Sequence, residues 1–139
     1  MLTLLYAALL TLIGVFLAIW STQQRVAKEP HVVLGTGDNF KLLQTSRALS
    51  NLVEYSLFFI ILLFLLETIA QIPTLAIGIL GDVFIFARIF HAYGITRPTA
   101  ISNFRLIGFV LTILVLITQS IWAIYISINW LAQNNWGFY

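Results

Sequence analysis

The chain has 139 residues, 60% of them hydrophobic and 9% charged, with a net charge of +2 and no cysteine. That leaves too little polar surface to cover a soluble globule, and a mean hydropathy of +0.99 makes this an integral membrane protein. Seven dispersed basic residues form no basic stripe, which excludes nucleic-acid binding, and without cysteine any thiol chemistry must use a substrate's sulfur.

A helix needs roughly 20 apolar residues to cross the hydrocarbon core, and the sequence offers four such runs within one domain, residues 1–139. The reading is all-α: a four-transmembrane-helix bundle. The first span covers about residues 2–20, with no basic flank or small-x-small site that would mark it as a cleaved signal. Gly14 within it either permits close helix packing or has no special role, and Trp20 closes the run as an interfacial aromatic. Residues 21–41 are polar, and Pro30 with Gly35-Thr-Gly37-Asp38 predicts a loop. No strand precedes the glycines and no Gly-Lys-Ser/Thr follows them, so this is no phosphate loop. His31 lies in it without a second histidine close enough in sequence to make a metal site.

The second span, about 42–70, is longer than a bilayer requires, so its first turns stand in the headgroup zone or line a cavity. There Arg47, Asn51 and Glu54 fall at i, i+4 and i+7 and share one helical face, with Tyr55 beside them. A cation, an amide and a carboxylate at the mouth of an oily run form a candidate ligand site. Glu67, near the far end, is an ordinary boundary carboxylate with no assigned role. Pro73 breaks any continuing helix and suits the start of the third span, about 75–95. This span carries Asp82, Arg88, His91 and Tyr93; Arg88 and His91 share a face, and Asp82 points elsewhere. Ionisable groups at such depth imply interhelical partners or a bound ligand, and an Arg88–Glu54 ion pair is one option. Pro98 ends the helix, residues 96–105 form a loop, and the fourth span covers about 106–131. Its Thr112, Thr118, Gln119 and Ser120 read as packing and back-bonding groups. The tail, with Trp136, Phe138 and Tyr139, reads as an interfacial anchor.

Four crossings put loops 21–41 and 96–105 on one side, with Arg25, Lys28, Lys41, Arg47, Arg97 and Arg105 on or beside it and no Lys or Arg on the other. The positive-inside rule makes those loops cytoplasmic and the termini external. Arginines suit carboxylates, Glu54 suits an ammonium and Asn51 suits an amide. Glutathione satisfies that set, as would other amino-acid-like ligands.

Arg47-x-x-x-Asn51-x-x-Glu54-Tyr55 at the start of the second span, with Ala87-Arg88-x-x-His91-x-x-Gly94 late in the third, resembles the MAPEG family, the membrane-associated proteins of eicosanoid and glutathione metabolism, and most of all its small bacterial members. The resemblance implies a homotrimer in a bacterial inner membrane, with glutathione bound between subunits and lipophilic substrates arriving through the lipid. By motif, Arg47, Asn51, Glu54, Tyr55, Arg88 and His91 would bind glutathione, with Tyr93 and Arg97 as further candidates. Arg105 would activate the thiol, with Arg97 its competitor. Ile95 stands where better-known members place a tyrosine. The implied function is a glutathione transferase or peroxidase acting on lipophilic electrophiles or hydroperoxides. The alternatives are a non-catalytic scaffold held by intramembrane ion pairs and a small transporter, the latter disfavoured by the lack of an inverted repeat.

Overall fold

The computed structural model describes residues 1–27, 31–98 and 102–134. Lys28, Pro30 and the aromatic tail from Trp136 to Tyr139 lie outside the described residues. Four helices follow one another: α1 (Leu2–Val26), α2 (Phe40–Thr68), α3 (Thr74–Ile95) and α4 (Asn103–Gln133). Each is long and apolar enough to cross a membrane. Helices satisfy their own backbone groups, as a segment surrounded by hydrocarbon must.

The helices overrun the apolar runs at the charged end of the bundle. α1 continues six residues past Trp20, and α4 begins at Asn103, so Arg105 belongs to a helical first turn and not to a loop. Local chemistry accounts for the other boundaries. Asn39 caps α2, its side-chain oxygen accepting from the Leu42 amide at 3.0 Å. At the far end Gln71 takes a left-handed φ of 52°, and the Ile72 amide turns back to the Leu66 carbonyl at 3.2 Å, so that one of the helix's open carbonyls is satisfied past its end. Pro73 then opens α3 in an extended conformation.

Cross-links at both ends show an up-down-up-down path. At one end the Glu67 carboxylate accepts from the Leu2 amide at 2.7 Å and the Thr3 amide at 3.0 Å, and it lies 2.8 Å from the Met1 amino group. The carboxylate expected to have no role thus satisfies the open amides at the start of α1, which a helix cannot bond by itself. At the other end Lys41 donates to the Thr96 carbonyl at 2.6 Å and Gln44 to the Arg97 carbonyl at 2.5 Å, tying the end of α3 to the start of α2. The loop is tied as well: Arg25 donates to the Gly35 carbonyl and Asn39 to the Gln24 carbonyl, each at 2.9 Å.

The interior is built on Phe59 of α2 stacked face to face on Phe84 of α3, ring centroids 3.8 Å apart, with Leu63, Leu66 and Ile77 buried around them. Asp82 is held by Tyr6, whose hydroxyl lies 2.9 Å from both Asp82 Oδ1 and the Gly78 carbonyl. Gly14 leaves room for a methyl, which would sit 3.6 Å from Leu52. The glycines at the α3–α4 crossing leave none. A β-carbon on Gly94 would lie 2.7 Å from the Arg105 Cα, and one on Gly108 would lie 2.5 Å from the Ala87 carbonyl oxygen and 2.9 Å from the His91 Cα. Backbone meets backbone there, so the side chains cannot yield.

Gly108→Val should therefore force α3 and α4 apart and destabilise the bundle by about 1–3 kcal/mol or more. Unfolding in mixed micelles, followed by helical circular dichroism, measures this; Gly14→Ala serves as the control that changes stability little.

Candidate functional site

The crossing at Gly94 and Gly108 determines what stands next to it. Because α3 and α4 approach so closely, the His91 imidazole reaches the first turn of α4, where Nδ1 lies 3.3 Å from the Arg105 carbonyl. A carbonyl oxygen only accepts, so this contact places the proton on Nδ1 and leaves Nε2 an acceptor. Nε2 is buried without a hydrogen-bond partner among the described residues.

An open cleft of about 430 Å³ lies where three helices meet, lined by Asn51 and Tyr55 of α2, His91 of α3, and Ser102, Arg105, Leu106 and Phe109 at the start of α4. Four of the residues singled out in the sequence, Asn51, Tyr55, His91 and Arg105, are thus brought together from three separate segments. Asn51 and Tyr55 reach it because they are one turn apart on one α2 face; the Asn51 amide also donates to the Arg47 carbonyl at 2.8 Å.

Arg88 lies directly behind the cleft, about 10 Å inside the end of α3 at 1.5 Å per residue. It is 1% exposed. No carboxylate lies within 4 Å of it among the described residues, so the Arg88–Glu54 pair, one option from the sequence, is not formed. Its guanidinium instead lies over the Tyr55 ring, 5.3 Å from the centroid, and donates to the Thr112 hydroxyl at 3.2 Å. Thr112 in turn donates to the Gly108 carbonyl at 2.7 Å. Its hydroxyl carries a single proton, which goes to that carbonyl, so its oxygen is left to receive Arg88. The Arg88 Nε has no partner among the described residues. A cation taken this far from water with so few partners is costly, and its cation–π contact returns part of that cost. Thr112, read from sequence as a packing and back-bonding group, does back-bond to Gly108 and is Arg88's hydrogen-bond partner as well.

The remaining candidates lie elsewhere. Arg47 and Glu54 share the α2 face with Asn51 but are exposed on the outside of the single chain. Tyr93 and Arg97 do not line the cleft. Tyr93 follows His91 by two residues, about 200° around the helix, and faces a groove between α1 and α3. Arg97 lies over the Tyr93 ring, 4.5 Å from the centroid, and donates to its hydroxyl.

The MAPEG family model matches residues 3–125, nearly the whole chain. The chain belongs to the MAPEG family. No curated protein and no solved structure matches it. As a MAPEG protein with four membrane-spanning-type helices it is an integral membrane protein. The family includes glutathione-dependent enzymes and also non-catalytic members. All seven residues that line the cleft fall within the matched segment of this MAPEG chain.

Thr112→Val should leave the buried Arg88 without its hydroxyl acceptor and lower stability by about 1–3 kcal/mol. A double-mutant cycle with Arg88→Leu checks the assignment: if Arg88 and Thr112 act through each other, the loss in the double variant falls short of the sum of the single losses.

Proposed function

We propose that this protein is a glutathione-dependent membrane transferase or peroxidase that activates the glutathione thiol for attack on lipophilic electrophiles or hydroperoxides. The single observation that carries the reading is the cleft in which Asn51, Tyr55, His91 and Arg105 converge. Glutathione offers two carboxylates, an amine and internal amides. The cleft offers an arginine for a carboxylate or thiolate and an asparagine amide as donor and acceptor, with the His91 ring in its wall.

In this reading Arg47 and Glu54, outward on the single chain, are covered by a neighbouring subunit of a homotrimer and complete the site at the interface. Glu54 would take the ligand's ammonium and Arg47 a carboxylate. Arg88 shapes the site from behind through Tyr55. The charged end of the bundle faces the cytoplasm of a bacterial cell, so glutathione enters from water while the second substrate arrives through the lipid.

Arg105 is the residue assigned to the thiol. A guanidinium within hydrogen-bond reach of the sulfur favours the anion of a group whose free pKa is about 8.5. The thiol proton leaves to solvent, and the thiolate's electron pair forms a C–S bond as the electrophile's leaving group departs as an anion. With a hydroperoxide it forms an S–O bond instead as the O–O bond breaks, and the departing alkoxide takes a proton from solvent. A second glutathione then turns the sulfenic acid into the disulfide with loss of water. Arg97 loses its claim to this role in the proposal, since it is engaged on Tyr93 away from the cleft.

The second reading is a non-catalytic membrane protein, favoured by the structural use of Arg88 against Tyr55 and Thr112. The two are separated by titrating purified protein with glutathione and following thiolate absorbance, alongside conjugation of a hydrophobic electrophile. The enzyme reading expects a saturable thiolate signal and turnover, and Arg105→Leu should cut turnover about 100-fold or more while most of the glutathione affinity survives. Absence of a thiolate signal from the unaltered protein supports the non-catalytic reading; full turnover by Arg105→Leu removes that residue from the mechanism.

A further inference from the structure

The groove between α1 and α3 has a chemistry of its own. It holds about 470 Å³, and its walls are apolar: Phe16 and Trp20 from α1, Ile89 and Ala92 from α3, with Tyr93 and Thr96 at the end nearest the charged side of the bundle. Along α1 it runs from Leu12 to Trp20, about 12 Å at 1.5 Å per residue. That is close to one leaflet's share of a hydrocarbon core about 30 Å thick.

Two cations stand on the residues that form the groove's mouth. Arg97 lies over the Tyr93 ring and donates to the Tyr93 hydroxyl. Lys41 lies over the Trp20 ring, 5.2 Å from its centroid, and donates to the Thr96 carbonyl at 2.6 Å. Of the acidic residues, Asp82 is bonded to Tyr6 and Glu67 to the start of α1, both toward the other end of the bundle; Glu54 is exposed on α2, and the exposed Asp38 precedes Lys41 by three residues at the same end. Lys41 and Arg97 thus put two cations at the mouth of an acyl-length trough.

We propose that this groove binds an anionic phospholipid, one acyl chain lying along α1 and α3 and the phosphate held between Arg97 and Lys41. Choice of occupant follows from the two halves together. A free phosphate would use the cations and leave the trough empty, whereas a zwitterionic lipid would fill the trough but bring a choline against the same cations. Basic side chains near a membrane surface favour anionic headgroups, and aromatic rings at this level are amphipathic enough to face both headgroup and chain. The site is separate from the cleft around His91 and Arg105, since Tyr93 and His91 lie on different faces of α3.

The test uses the full-length protein in mild detergent, titrated with phosphatidylglycerol or phosphatidylcholine of the same chain length, and reads bound lipid by native mass spectrometry. Phosphatidylglycerol is expected to bind in preference, and Arg97→Gln, an exposed replacement that leaves the core untouched, should weaken it about fivefold. Ala92→Phe, which fills the trough, should reduce binding of both lipids. Glycerol phosphate, the anion without chains, should not displace the bound lipid. Equal binding of the two lipids, binding unchanged in either variant, or displacement by glycerol phosphate overturns the proposal.

Discussion

The rest of this structure depends on the contact between the backbones of α3 and α4. At Gly94 and Gly108 the two helices come so near that a single methyl would overlap main-chain atoms. That approach carries the start of α4 against His91, and the cleft exists because of it. Small residues let transmembrane helices gain dispersion contacts and backbone proximity where water supplies no hydrophobic drive between helices. Here the same economy of size positions the polar groups, because the His91 ring meets the Arg105 carbonyl only when α3 and α4 are this close.

The polar groups buried in the bundle divide into two kinds by their partners. Glu67 on the α1 amides, Tyr6 on Asp82, and Lys41 and Gln44 on the end of α3 are matched pairs that join helices at their ends. Each satisfies a group that hydrocarbon would leave exposed at a cost of several kcal/mol. Arg88 and His91 are different: both are nearly fully buried, yet each keeps a nitrogen without a partner among the described residues. Both stand at or behind the three-helix cleft, but they share this state with the Gln119 amide and the Thr3 and Ser56 hydroxyls, which are likewise buried without a partner among the described residues and do not line it.

The two faces of α3 at the charged end separate two environments only two residues apart. His91 looks toward α2 and α4, where polar groups converge, and Tyr93 lines the groove on α1 and packs edge-on against Phe104 of α4, ring centroids 5.4 Å apart. One helix can serve both because 100° per residue puts alternate positions on opposite sides.

Much of this was legible in the sequence. Four apolar runs set the number of helices, Pro73 and Pro98 set where α3 starts and ends, and the spacing of Arg47, Asn51, Glu54 and Tyr55 placed them on one face, because these are local properties of chain length and helical period. The extension of α1 to Val26 and of α4 back to Asn103 was less readable, since polar residues continue a helix beyond the membrane without any apolar signal. Partners were not readable at all. That Arg88 meets Thr112 and Tyr55 instead of Glu54, that Glu67 holds α1, and that Tyr93 and Arg97 turn away from His91 depend on the rotation of each helix about its axis. Local sequence gives a helix its stripe; only packing against three neighbours decides which helix that stripe faces.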